Sequence, residues 1–101
     1  MELGKVEGQV VTTVRDPDLP VCSLLLVTLC DANGKGKGGQ QVAADPIGAG
    51  VGEWVLLTRG SSARLGLSDP APVDLRVVGI IDQITGDGSM LYSKAESSAR
   101  K

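Results

Sequence analysis

Residues Ala43 to Arg64 read AADPIGAGVGEWVLLTRGSSAR, and their order is strand, glycine-rich loop, strand, then a short capped turn. Gly48, Gly50 and Gly52 alternate with small apolar residues directly after Asp45-Pro46. Glycine at that density serves where backbone takes φ > 0 or where another backbone comes very close. The strand Glu53 to Thr58 follows at once, so the loop is tethered at both ends. Such a loop suits a rigid surface pressed against a neighbour better than a mobile active-site lid, and it contains no obvious catalytic group.

On either side of this stretch, strands account for most of the chain. From Leu3 to Val14 the residues alternate, with Val6, Gly8, Val10, Thr12 and Val14 sharing one face. Period two argues for a strand, and the embedded Gly4 and Gly8 permit bending. Asp16-Pro17-Asp18-Leu19-Pro20 is a turn-rich break. Ser23 to Cys30 is apolar on both faces, so it is expected to be covered twice: by a barrel interior on one side and by another subunit on the other. Asp31-Ala32-Asn33-Gly34 opens a loop reaching Gly39, with Asn-Gly as a hairpin signal. Strands are expected at Gln40 to Asp45, Glu53 to Thr58, Leu75 to Ile84 and Met90 to Ser93. Ser61 or Ser62 caps one short helical turn ending near Leu65, and Gly66 to Asp74 is an extended crossing loop. Residues 1–94 read as one β-barrel domain and residues 95–101 as a polar tail. Strand count and alternation indicate a small closed all-β barrel, with oligonucleotide-binding (OB)-like and SH3-like topologies both open.

Bulk properties exclude several function classes. At 101 residues the chain can bury one modest core. With 42% hydrophobic and 22% charged residues it is globular, and a net charge of −2 gives no electrostatic case for nucleic acid or an anionic membrane. No apolar run approaches the ~20 residues of a membrane span. The opening residues alternate charge and apolar side chains, unlike a signal peptide, so a cytoplasmic location is expected. Cys22 and Cys30 make no metal spacing, and there is no histidine to complete a site. No metal or other cofactor is expected.

Three function classes can be weighed on residues. Catalysis lacks the usual general base, since histidine is absent; Ser61, Ser62 and Asp45 read more simply as turn caps and backbone partners. The alternative of an OB-type module binding nucleic acid or a small ligand lacks a stacking platform, with no phenylalanine, one tryptophan and one tyrosine. The run Gly34-Lys35-Gly36-Lys37-Gly38-Gly39 lacks the order of a phosphate-binding loop. Self-assembly is positively indicated, because Leu24 to Leu29, Ile47 to Val51 and Val77 to Ile81 are two-sided apolar or backbone-close. A small barrel has one interior, so the surplus apolar surface needs a partner. Arg59 and Arg64 are the charged residues assigned to such a seam, with Asp45, Glu53 and Asp82 as acceptors.

Several motifs, in order, carry a family resemblance: Leu3 to Val11, Ile47-Gly48-Ala49-Gly50, Gly52-Glu53-Trp54-Val55-Leu56, Gly60-Ser61-Ser62-Ala63-Arg64 and Val78-Gly79-Ile80-Ile81-Asp82. Together they resemble the EutN/CcmL family, the pentameric vertex proteins of bacterial microcompartment shells. Pro46 and the polar tail after Lys94 depart from that pattern. The resemblance implies an OB-like barrel assembled as a ring, a homopentamer that caps the corners of a polyhedral shell in the bacterial cytoplasm, with a six-fold ring left open. It implies identical subunits and hexameric shell proteins as partners. It fits catabolic metabolosome members slightly better than carboxysome ones. Glycine density and the lack of side-chain chemistry place Gly48, Ala49 and Gly50 near the five-fold axis or a seam, and Asp45, Trp54, Arg59, Ser61, Ser62, Arg64 and Asp82 are the candidate subunit-interface residues.

Overall fold

A computed structural model of the chain describes residues 1–19, 21–60, 63 and 73–94. Its strands are β1 (Glu2–Val10), β2 (Ser23–Cys30), β3 (Gly36–Asp45), β4 (Trp54–Arg59), β5 (Leu75–Ile80), β6 (Gln83–Gly86) and β7 (Ser89–Ser93). The first five close a barrel in the order β1-β2-β3-β5-β4, with β1 hydrogen-bonded to both β2 and β4. All these pairings are antiparallel except β3 with β5, which run parallel through Ala44 and Arg76. The arrangement is OB-like, which settles the topology that alternation alone left open. Closure also removes the sheet edges that would otherwise invite unwanted pairing.

The interior is filled by alternate residues of every barrel strand. Val6, Val27, Val55, Leu57, Leu75 and Val77 are all 2% exposed or less. Full burial of each is worth about 1.5–3 kcal/mol against exposure, so this set dominates the favourable side of folding. Packing is close at Gly4, where Leu57 reaches within 2.8 Å of where a Cβ would stand.

Four expectations need correction, each for a local reason. First, β1 ends at Val10, and its register against β2 shifts between Val6 and Gly8. The bulge at Glu7 changes the strand's parity. Val6 therefore faces the interior, while Val10, paired with Leu24, turns outward, so the expected common face of Val6 to Val14 does not exist.

Second, the outer face of β2 is covered within the protomer at one end. Leu24 packs in a second cluster with Ala44, Ala63 and Val73, flanked by Val10, Leu19 and Cys22. No neighbouring subunit is needed there.

Third, β3 begins at Gly36 rather than Gln40, because the β2–β3 connection is a tight turn. Asp31 Oδ1 accepts the amides of Asn33 (2.9 Å) and Lys35 (3.0 Å), and Asp31 and Lys35 also pair through their main chains. These amides hold the Asp31 carboxyl below its ordinary range. From Gly36 onward the glycine-lysine run is thus strand, and only Gly34 and Lys35 belong to the turn.

Fourth, the long strand expected from Leu75 to Ile84 breaks at Ile81-Asp82, where the Ile81 amide turns to donate to the Trp54 carbonyl at 2.9 Å. Beyond this break β6 leaves the barrel and pairs only with β7. The helical turn expected at Ser61–Leu65 lies outside the described residues, apart from Ala63, which is buried. Most of the crossing loop and the polar tail also lie outside them.

Candidate functional site

The loop between β3 and β4 is organised by one buried carboxylate. Asp45 ends β3 on the inward parity of Ala43 and is 3% exposed. Its Oδ1 accepts the amides of Ile47 and Gly48 (both 3.0 Å), and its Oδ2 accepts that of Ala49 (2.7 Å). Pro46 fits this clamp, since proline has no amide hydrogen to orphan and its fixed φ starts the turn. Gly48 takes a φ of 105°, which a side chain would resist. Further on, Gly50 donates to Glu53 Oε1 at 2.6 Å, Glu53 donates back to the Gly50 carbonyl, and Gly52 and Val6 tie the loop to β1.

The result is the rigid loop that glycine density indicated, with its side chains sorted by face. Ala49 packs against the barrel core, while Ile47 and Val51 point to solvent at 49% and 64% exposure. Of the three residues assigned to an axis, Ala49 thus plugs its own barrel, and the outward surface of the loop belongs to Ile47, Val51 and the main chain.

Trp54, the first residue of β4, stacks on Tyr92 of β7 with centroids 4.2 Å apart and planes 19° apart. The Lys5 ammonium lies 5.2 Å from the indole centroid. Glu53 pairs with Lys94, whose amide also donates to the Asp82 carbonyl at 2.8 Å. Trp54, Glu53 and Asp82 are therefore the points that hold the β6–β7 hairpin to the barrel. A two-stranded hairpin is marginal by itself, so this contact is what orders it. Tyr92 and Lys94 escaped the sequence reading. Their signal was present, because one Trp and one Tyr are the only aromatic residues in the chain.

Arg59 does not meet Asp45, Glu53 or Asp82 within the protomer. Its guanidinium donates to Glu2 (2.8 Å) and to Gln41 (3.0 Å), joining β4, β1 and β3 at the barrel rim. The hydrogen bond from Arg59 pulls the Glu2 carboxyl below its ordinary value. No local pattern reveals Glu2 as the partner, since 57 positions separate the two. Ser61, Ser62 and Arg64 lie outside the described residues.

Chemistry is sparse and apolar exterior is plentiful. Among the described residues no three His, Cys, Asp or Glu side chains converge on a metal-sized space. Cys30 is buried, which raises its thiol pKa. Exposed apolar side chains gather instead around the β1–β2 connection, where Val11 and Val21 border a groove with Val10 and Cys22, and Val14 nearby in sequence is 93% exposed. Val42 adds to the outer face of β3 and Met90 to the hairpin.

A family model described as "Ethanolamine utilisation protein EutN/carboxysome" matches residues 1–82. The chain belongs to the EutN/CcmL family. Among the family's members, the bacterial microcompartment shell vertex protein EutN of Salmonella typhimurium is 48% identical over 95 residues, covering 93% of this chain and 96% of the relative. The carboxysome shell vertex protein CcmL of Gloeobacter violaceus is 43% identical over 97 residues, covering 95% and 97% respectively. The solved GrpN pentameric microcompartment shell protein of Rhodospirillum rubrum superposes with a TM-score of 0.76 at 40% identity, covering 85% of this chain and all of that one. The EutN/CcmL match contains the whole Asp45–Glu53 loop and Trp54, while Tyr92, its stacking partner, lies beyond it.

Proposed function

We propose that the protein is a structural shell component whose copies close into a ring, a pentamer, that seals the corners of a polyhedral bacterial microcompartment. The observation that carries this reading is near full-length similarity to proteins named as shell vertex proteins, in a barrel with an apolar core and several large apolar side chains left exposed. Hexagonal tiles lie flat, so a corner requires a unit of lower rotational order. A head-to-tail contact between two different patches closes when its rotation divides a full turn.

The seam draws on surfaces the protomer leaves bare: Ile47 and Val51 on the clamped loop, Val42 on β3, and the valines of the β1–β2 connection. Arg64, Ser61 and Ser62 belong to the same seam through the family motif, whereas the Asp45 carboxylate serves the loop. The axis proposal for the Gly48 region is kept in altered form, with main chain and Ile47 rather than Ala49 facing outward. A metabolosome is favoured over a carboxysome by Val73-Asp74-Leu75 and the slightly higher identity to EutN than to CcmL.

Native mass spectrometry of the purified protein tests the reading. A ring of five copies is expected, weakened by Arg64→Ala or Val21→Asp without loss of the barrel. A stable, soluble monomer at micromolar concentration would overturn it, and a six-membered ring would overturn the five-fold assignment while keeping self-assembly.

A further inference from the structure

The β2–β3 turn sets two structural demands against chemical durability. Asn33 is the sole asparagine of the chain, it is exposed, and Gly34 follows it. Gly34 cannot readily be another residue: its φ is 88°, and a Cβ there would stand 3.0 Å from two ring carbons of Trp54. The fold therefore places the least hindered of all backbone nitrogens directly after an exposed asparagine. One ammonium stands beside this glycine. Lys5 Nζ comes within 3.3 Å of where the Gly34 Cβ would lie, and Lys35 is the next residue. A nearby ammonium favours the anionic form of an adjacent group, and the deprotonated amide is the nucleophile in asparagine ring closure.

We propose that Asn33-Gly34 is a site of spontaneous covalent modification, through a succinimide, into an isoaspartyl linkage. The Gly34 nitrogen attacks the Asn33 side-chain carbonyl carbon, and a C–N bond forms. The bond from that carbon to Nδ2 breaks, and ammonia leaves with the proton given up by Gly34. Water then opens the five-membered ring at either carbonyl, giving an aspartyl or an isoaspartyl residue. No redox partner is needed, and water is the only co-reactant.

The Gly34 amide donates to the Asp31 carbonyl at 2.9 Å, so attack draws on moments when the turn opens. The isoaspartyl product routes the main chain through the side chain and lengthens the turn by one carbon. Gly34 then no longer fits against Trp54, and a carboxylate replaces a neutral amide beside Lys5. Modification at the turn thereby reaches the Trp54–Tyr92 stack that holds the β6–β7 hairpin. The Asp87-Gly88 turn supplies an internal comparison, since ring closure there must start from a carboxyl group, whose anion is a poorer electrophile than a neutral amide, and has no lysine next in sequence.

The test incubates the full chain at mildly alkaline pH, beside a synthetic peptide of residues 29–38. Peptide mass mapping and enzymatic methylation of isoaspartyl groups track the products. Expected are an isoaspartyl product at residue 33 in excess over aspartyl, at a rate within about a hundredfold of the peptide's, and a parallel change in tryptophan fluorescence. Asn33→Gln, which would need a six-membered ring, abolishes the signal, and Lys5→Gln slows it severalfold. A folded chain more than about a hundredfold slower than the peptide overturns the proposal. So does amide loss that yields aspartate alone, which would mean direct hydrolysis.

Discussion

Replacing Asp45 by alanine strips the acceptor from three loop amides at once, those of Ile47, Gly48 and Ala49. Hydrogen bonds to a charged acceptor contribute about 1.5–3 kcal/mol each when solvent cannot replace them. Water can reach Ile47 and Gly48, which are exposed, but reaches poorly to Ala49, which packs on the core. Counting the Ala49 bond in full and the other two at a fraction gives a loss of about 2–4 kcal/mol. For a domain of this size that corresponds to a Tm lower by roughly 10–25 °C. The measurement is thermal unfolding by circular dichroism at one fixed protomer concentration, because assembly couples to apparent stability. Asp45→Asn keeps one carbonyl oxygen but presents an NH2 to a loop amide, so it should fall between wild type and alanine. A Tm within about 2 °C of wild type for Asp45→Ala would refute the clamp.

Three other perturbations probe the rim, the hairpin and the core. Glu2→Gln should flatten the acid limb of stability. The folded-state carboxyl lies below its ordinary value, so its contribution is present above the unfolded value near pH 4 and is lost as pH falls through the folded one. The ion pair is largely solvent-exposed, so the difference should be small and should fade in molar salt, and a steeper acid limb in the variant would contradict it. Tyr92→Ala should release the β6–β7 hairpin, seen as faster amide exchange at Ile84 and Leu91 and a red-shifted Trp54 emission, while barrel amides stay protected. Leu57→Ala empties the centre of the barrel and should cost about 2–5 kcal/mol in denaturant unfolding; a loss under about 1 kcal/mol would mean the core rearranges around it.

Much of the barrel was legible because its signals are local. A run apolar on both faces identified β2, the strand following the glycine-rich loop was placed within one residue of β4, and glycine density marked the β3–β4 loop as rigid. The same locality explains the misses at the ends of β1 and β5. The bulge at Glu7 and the break at Ile81 each depend on a partner strand or carbonyl that no short window contains, whereas the turn closed by Asp31 lies wholly within residues 31–35 and was readable there. For the candidate loop, sequence marked the segment but not which side chain turns inward. Ala49 and Ile47 are two residues apart in a glycine-rich stretch without periodicity, so nothing in their order says which one points inward.

Composition and alternation were enough to establish a small all-β barrel without the residues for common catalysis, and an apolar content beyond what one interior can absorb. How that excess is divided emerged only from the folded arrangement: Leu24 and Ala44 go under the protomer's own Val73 and Ala63, while Val14, Val21, Ile47 and Val51 stay bare. The fold likewise brought Arg59 to Glu2 and Trp54 to Tyr92. Side-chain type and spacing set what a strand can bury, whereas barrel closure and register set which distant residue arrives to bury it.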